Sequence, residues 1–201
     1  MQKPAPSDFP VHELIRERWS PRAFADKPVP QDVLRSIFEA ARWAPSSSNE
    51  QPWAYIVGSK DDKVSFDKIL SVLVEFNAGW AKSAPVLAIA VAELFFAKNK
   101  APNRNAQYDT GAATALLSVE ATARGLVVHQ MAGFDHEKAR QVLGIPEDWE
   151  AIAALAIGYP GDPSSLPQPL RDREMAPRTR KPIAEFVMAG HWGHTAPFAK
   201  K

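Results

Sequence analysis

Near the start of the chain, two arginines flank a serine in the segment Arg18-Trp19-Ser20-Pro21-Arg22. In an extended segment, side chains at alternate positions point the same way, so Arg18, Ser20 and Arg22 would share one face. A guanidinium presents a planar set of donors that suits phosphate, and the serine hydroxyl adds another donor. The segment therefore indicates an anion site, although its local features alone fit an ordinary solvated polar turn better.

Side-chain donors and acceptors also crowd the loop from 45 to 52, which two prolines stiffen. Loops held by a rigid scaffold often bind ligands. A plain polar connection with an asparagine turn explains the local pattern at least as well. The ligand-binding interpretation would involve one proline, three serines and one asparagine in succession: Pro45, Ser46, Ser47, Ser48 and Asn49.

A second positive cluster, Arg178-Thr179-Arg180-Lys181, lies on a tail rich in proline and charge. Basic runs of this kind are usually solvated surface, so the interest of this one depends on whether folding brings it next to Arg18. The chain contains neither a glycine-rich dinucleotide fingerprint nor a P-loop. A phosphate group would therefore have to be held by arginine side chains.

The composition excludes several classes of chemistry. The chain has no cysteine, which removes disulfides, thiolate metal sites and a cysteine nucleophile. His191 and His194 have a spacing that some metal sites use, but they lack carboxylate or thiol companions, so no metal is predicted. The 24 basic and 23 acidic residues leave a formal net charge of +1, which argues against a nucleic-acid binder.

No membrane contact is expected from the hydrophobic pattern. The longest apolar stretch, residues 85–92, is far shorter than the roughly 20 residues that cross a bilayer. Residues 1–6 lack the apolar run of a signal peptide. We therefore expect a cytoplasmic protein, a location that the absence of cysteine also suits.

Hydrophobic periodicity predicts helices that alternate with about four strands. This pattern indicates a single α+β or α/β domain over residues 1–201, built around one sheet. The predicted strands are 53–57, 86–92, 126–131 and 151–157, and the predicted helices follow Asp8 and Pro30 and span 64–76, 108–124, 135–143 and 183–188.

Three segments depart from the ordinary pattern. The helix at 108–124 is rich in glycine and alanine, which predicts a place at the centre of the fold or at a subunit contact. The connection at 93–107 shows no clear period and is predicted to be mobile. The tail at 160–180 has little to bury against itself, and we expect an extended arm that lies over another surface.

Four segments, in this order, resemble the nitroreductase family of FMN enzymes: 18–24, 40–53, 130–135 and 157–160. The basic segment 178–182 also lies where that family has its final phosphate contacts. The resemblance implies an α+β fold, a three-layer sandwich with a mixed, mainly antiparallel central sheet flanked by helices. It further implies an intertwined homodimer in which the arm at 160–201 packs on the partner subunit.

The same resemblance implies the cofactor site. Arg18, Ser20 and Arg22 would hold the FMN phosphate and the ring edge, joined by Arg178 and Arg180. The loop from Pro45 through Ser46, Ser47 and Ser48 to Asn49 would come from the other subunit. Met131, Ala132 and Gly133 would line the ring. Trp19 stands where many relatives have a second basic residue, so packing would replace one polar flavin contact there.

The implied activity is that of an oxidoreductase, in which NAD(P)H gives hydride to the flavin, leaves, and is replaced by an electron-poor acceptor. Nitroaromatics, quinones and enones are the expected acceptors, and Asn49 is the expected substrate contact. No side chain is predicted to act as acid or base. Two alternatives stay open: a flavoenzyme with another reaction (dehalogenation, flavin fragmentation or dehydrogenation), and a flavin-binding protein without turnover. No motif favours NADH over NADPH.

Overall fold

The computed structural model describes residues 3–200, and a four-stranded sheet forms its centre. The strands are β1 (Trp53–Ser59), β2 (Val86–Glu93), β3 (Val127–Met131) and β4 (Trp149–Gly158), in the spatial order β1-β2-β4-β3. All three neighbouring pairs are antiparallel. The expected α+β class with a mainly antiparallel sheet is confirmed, and every pair among the described strands is antiparallel.

The described residues also form seven α-helices. They are α1 (Glu13–Glu17), α2 (Gln31–Arg42), α3 (Lys63–Val72), α4 (Glu75–Ala81), α5 (Ala106–Ala123), α6 (His136–Leu143) and α7 (Gln168–Met175). Within residues 3–200, no helix combines the length and the apolar character that a bilayer crossing requires.

Alternation along the strands divides the core into two hydrophobic clusters, one on each face of the sheet. In β2, Leu87 and Ile89 belong to the cluster under α3, α4 and α6, whereas Val86 and Ala88 belong to the cluster under α2 and α5. Successive side chains of a strand point to opposite faces, which produces this division. The arrangement is the expected three-layer sandwich, and β2 is apolar almost throughout because both of its faces are covered.

Helix α5 confirms the central position that its small residues predicted. Ala113, Leu117 and Ala121 are fully buried in the cluster that α5 shares with α2. The connection before it, 93–107, folds as a turn, with an isolated bridge between Phe95 and Pro102. The amide of Asn103 donates to the carbonyl of Leu94 at 2.7 Å, so backbone hydrogen bonds hold this segment.

The helix predicted at 64–76 is interrupted. Helix α3 ends at Val72, and Leu73 and Val74 are extended before α4 begins. The amide of Val74 donates to the carbonyl of Gly133 at 3.2 Å, and the amide of Asp135 donates to the carbonyl of Val72 at 2.8 Å. Residues 72–74 are held by hydrogen bonds to the distant turn at 133–135. The hydrophobic period of the sequence continues through the break, so it gives no sign that the helix is interrupted.

The tail is also more structured than predicted. Helix α7 lies within the segment that was expected to be extended, and the predicted helix at 183–188 is only a 3-10 turn, Ile183–Glu185. Residues 187–196 then turn back on themselves as a short hairpin, in which Met188 bridges Thr195. Helix α7 has a polar sequence with no hydrophobic period, and the main group that it buries is a carboxylate, Glu174.

Candidate functional site

The two basic clusters, 160 residues apart in sequence, meet in the structure. Arg18 donates from its guanidinium to the Oγ of Ser20 at 3.3 Å, so these two side chains share a face as predicted. The guanidinium of Arg178 donates to the carbonyls of Lys3 at 2.7 Å, Arg16 at 3.0 Å and Arg18 at 2.8 Å. Arg178 thereby fixes the backbone that carries Arg18.

The basic cluster has an excess of positive charge. Burial lowers the pKa of Arg18, and the neighbouring charge of Arg180 lowers it further. Burial likewise lowers the pKa of Arg178, with additional contributions from Arg18 and Arg180. The ion pairs within residues 3–200 include none of these three arginines. An anion with several oxygens would relieve the repulsion and use the guanidinium donors, so the donor set fits a phosphate.

Arg22 contacts a different set of groups. Its guanidinium lies 4.0 Å from the Oε2 of Glu174 and 5.9 Å from the ring centroid of Trp80. Burial lowers the pKa of Arg22, the charge of Glu174 raises it, and Arg173 lowers it again. The Nε of Arg22 is buried without a hydrogen-bond partner. This unpartnered donor can bind an acceptor on a ligand, which fits the predicted contact with a ring edge.

Trp19 lies between Arg18 and Ser20 in sequence, and its side chain points away from the face that those two share. Its side chain lines a groove of about 390 Å³, and the ammonium of Lys3 lies 5.2 Å from its ring centroid. Arg178 and Arg180 line another groove, of about 700 Å³, with apolar side chains such as Phe9 and Ile15. The predicted packing of Trp19 on a flavin therefore gains no support from this chain alone.

The loop at 45–49 has an unusual backbone. Ser48, Asn49 and Gln51 have φ values of 53°, 57° and 52°, in the left-handed region that residues other than glycine rarely adopt. Such conformations persist only where the surroundings enforce them, and they cluster at ligand sites. Pro45, Ser48 and Asn49 are exposed, so the strained part of the loop is accessible.

A buried carboxylate holds this loop. Asp109, only 4% exposed on α5, accepts a hydrogen bond from the amide of Ser47 at 2.9 Å. The Oγ of Ser46 accepts another from the amide of Gln51 at 3.0 Å. Sequence reasoning missed Asp109, because a polar residue 62 positions away gives no local signal of its partner.

The predicted ring-lining turn closes over the start of α4. The carbonyl of Gly133 accepts hydrogen bonds from the amide of Val74 at 3.2 Å and from the Nδ2 of Asn77 at 2.9 Å. A Cβ at Gly133 would lie 2.5 Å from that Nδ2, so a larger residue there would displace the Asn77 side chain. Met131 packs into the core and Ala132 is exposed, which leaves the backbone of 132–133 to meet a ligand. Val74 and Asn77 therefore belong to the candidate site. Sequence analysis missed them, because it predicted an unbroken helix at 64–76.

The loop at 45–49 and the arginine cluster have different hydrogen-bond partners. Among the described residues, no hydrogen bond or ion pair links the 45–49 loop to the arginine cluster, and the bonds of that loop run to its own neighbours and to Asp109. The combination of these segments in one site therefore stays a prediction.

Comparison with known proteins places this fold in one family. The family model for the nitroreductase family matches residues 15–159. A solved structure described as an oxidoreductase containing FMN has 34% sequence identity and a TM-score of 0.89, and the match covers 95% of this chain and 97% of that one. A nitroreductase family protein from Clostridium difficile 630 shares the fold, with 23% identity, a TM-score of 0.69, and coverage of 89% and 96%.

Sequence relatives agree with the structural comparison. An uncharacterised 15.4 kDa protein of Mycolicibacterium smegmatis is 30% identical over 146 residues, which cover 70% of this chain and 97% of that protein. A Stenotrophomonas maltophilia protein, provisionally named as an NADH dehydrogenase/NAD(P)H nitroreductase, is 28% identical over 78% of this chain and 87% of its own length. The chain belongs to the nitroreductase family.

Proposed function

We propose that this protein is an FMN-dependent NAD(P)H oxidoreductase that reduces small electron-poor acceptors. The observation that carries the proposal is the cluster of Arg18, Arg178 and Arg180, in which arginines from both ends of the chain lie close together. Among the described residues, no carboxylate lies within ion-pair distance of these three side chains. Family membership and the similarity to an FMN-containing oxidoreductase support the same conclusion.

The residues divide into three roles. Arg18, Ser20 and Arg180 would bind the FMN phosphate directly. Arg178 already donates to three backbone carbonyls, so it would contribute charge and fix the shape of the cluster. Arg22 would donate from its unpartnered Nε to the polar edge of the flavin ring.

A homodimer would bring the remaining predicted residues to this site. The 45–49 loop is strained and exposed, and we propose that it reaches the cofactor of a second copy. The arm at 160–201 exposes large apolar side chains, with Phe186 60%, Trp192 84% and Phe198 75% exposed, and Tyr108 on α5 is 80% exposed. Apolar groups concentrated in this way mark contact surfaces, and a second copy would cover them.

The protein supplies binding and orientation, while the reaction itself belongs to the cofactor. Bound FMN would accept hydride from NAD(P)H and then pass it to a nitroaromatic, a quinone or an enone. The backbone of the turn at 132–133 would line the flavin ring, since the space where a Cβ of Gly133 would lie is already filled by Asn77 and Val74. Asn49 would contact whichever substrate occupies the single place over the ring. Because the donor is a cytoplasmic coenzyme, we place the reaction in the cytoplasm.

Steady-state kinetics test this function. Rates measured at several concentrations of NADPH or NADH, and of a quinone such as menadione or a nitroaromatic such as nitrofurazone, should give parallel double-reciprocal lines. Parallel lines follow when both substrates use one place in turn. Intersecting lines would contradict the shared place. Flavin-loaded protein that oxidises neither coenzyme with any acceptor would contradict the enzymatic function.

A further inference from the structure

Glu174, on α7, is a buried acidic residue at the edge of the candidate site. It is 2% exposed. Its Oε1 accepts hydrogen bonds from two successive backbone amides, Arg22 at 2.8 Å and Ala23 at 3.2 Å. One carboxylate oxygen therefore determines how the chain leaves the arginine segment.

The second oxygen of the carboxylate faces the side chain of Arg22. Oε2 is buried without a hydrogen-bond partner and lies 4.0 Å from a guanidinium nitrogen of Arg22, whose Nε is also unpartnered. The negative charge of Glu174 raises the pKa of Arg22 against the larger lowering that burial causes. The carboxylate is thus a close counter-charge for Arg22, but it makes no hydrogen bond to the Nε of Arg22, which keeps that donor unpartnered.

Glu174 and Arg178 hold the arginine segment from both sides. Arg178 donates to the carbonyl of Arg18, and Glu174 accepts from the amides of Arg22 and Ala23. Lys3 also donates to the backbone carbonyl of Glu174 at 2.5 Å. The segment 18–22 is therefore clamped between two side chains of the arm that are four residues apart.

We propose that Glu174 is a positioning residue for the flavin: it holds the 18–22 segment in its binding shape and offsets part of the positive charge that Arg22 presents to the ring. The role rests on the proposed FMN site. It assigns to the carboxylate two separable effects, one on FMN affinity through the hydrogen bonds of Oε1 and one on the reduction potential through its charge.

Two substitutions separate these effects. Glu174→Gln keeps an oxygen acceptor for the two amides and removes the charge. We expect it to bind FMN within about threefold of wild type, and to shift the midpoint potential of the bound flavin to a more positive value, because an uncompensated Arg22 favours the anionic reduced form. Glu174→Ala removes both effects, and we expect its Kd for FMN, measured by quenching of flavin fluorescence, to rise about tenfold or more.

Hydrogen exchange of the apoprotein gives a readout that needs no flavin. The amides of Arg22 and Ala23 should lose protection in Glu174→Ala and keep it in Glu174→Gln. Glu185→Ala, at an exposed glutamate of the same arm, serves as the matched control and should change neither protection, Kd nor potential. Circular dichroism and thermal melting establish that each variant is folded.

The outcomes distinguish this inference from the proposed function. Wild-type protein that does not bind FMN contradicts the function and with it the role of Glu174. Wild-type protein that binds FMN, with Glu174→Ala equal to it in Kd and in amide protection, overturns the inference alone. If Glu174→Ala does not fold, Glu174→Gln still decides, since an unchanged midpoint potential in that variant overturns the inference.

Discussion

His129 is a half-buried titratable residue beside the arginine segment. Its ring packs 4.6 Å from the ring of Trp80, and its Nδ1 lies 2.9 Å from the carbonyl oxygen of Pro21. Burial lowers the pKa of His129 from 6.5 to about 4, and the charges of Arg22 and Arg18 contribute to the lowering. The side chain is therefore neutral at pH 7 and donates its Nδ1 proton to the segment that carries the arginines.

We predict a loss of stability in mild acid that depends on this histidine. The unfolded chain binds a proton below pH 6.5, whereas the folded chain resists protonation until about pH 4. Stability is thus fully present above pH 6.5 and falls as the pH is lowered toward 4, by about 3 kcal/mol from this residue. Urea unfolding at pH 7.0, 5.5 and 4.5 measures this loss of free energy of unfolding. Between pH 7.0 and 4.5, His129→Gln should lose less of it than the wild-type protein. Equal losses in the two proteins would remove His129 as the cause.

Asp109 provides a second prediction at this scale. Asp109→Ala deletes the acceptor of the Ser47 amide, and we expect it to lower the free energy of unfolding by about 1–3 kcal/mol, because a partly buried amide is left unpaired. Acceptor KM should rise while the Kd for FMN changes less. Asp109→Asn, which keeps an oxygen, should recover most of the loss, and Glu120→Ala on the outer face of α5 is the control. A Glu120→Ala protein as impaired as Asp109→Ala would show that the loop is not the cause.

At the level of elements, the turn at 132–134 and helix α4 form one unit. Gly133→Ala would place a Cβ 2.5 Å from the Nδ2 of Asn77 and 3.0 Å from the Cγ2 of Val74. We expect the hydrogen bond from Asn77 to Gly133 to break, with a cost of about 1–2 kcal/mol in urea unfolding. Gly79→Ala, on the same helix with open space at the Cβ, should be neutral or stabilising by about 0.5–1 kcal/mol. If both variants unfold at the wild-type urea midpoint, the contact is unimportant.

Sequence patterns predicted the elements whose signals are local. The four strands, α2, α5 and α6 follow from alternation, period and caps, such as Asp135, whose side chain accepts from the amide of Lys138. The break at Leu73–Val74 and helix α7 were missed. Both depend on tertiary partners: the carbonyl of Gly133 in one case, and the amides of Arg22 and Ala23 in the other.

The candidate site was predictable to a similar extent. Alternate spacing correctly placed Arg18 and Ser20 on one face. Local features did not show that Arg178 would reach them, and only the resemblance to a family pointed to that meeting. Asp109, Asn77 and Glu174 were missed because each acts on the backbone of a residue more than 50 positions away.

For the whole molecule, we predict that light scattering after gel filtration gives the mass of two chains. Phe186→Glu places a charge on an apolar side chain of the arm that is 60% exposed, and should weaken both the dimer and FMN retention. Val64→Glu, at a 69% exposed residue of α3 in the outer layer, should leave both unchanged. A wild-type protein that elutes as a monomer and still retains flavin would contradict the shared site.

The most direct test of the central claim is the visible spectrum of freshly purified protein, recorded before and after NADPH is added without air. We predict a yellow flavin spectrum that bleaches, because the arginine cluster would retain FMN through purification and the exposed face of the site would admit the coenzyme. A colourless protein that also fails to bind added FMN would contradict the account, and Arg18, Arg178 and Arg180 would then be ordinary surface charge.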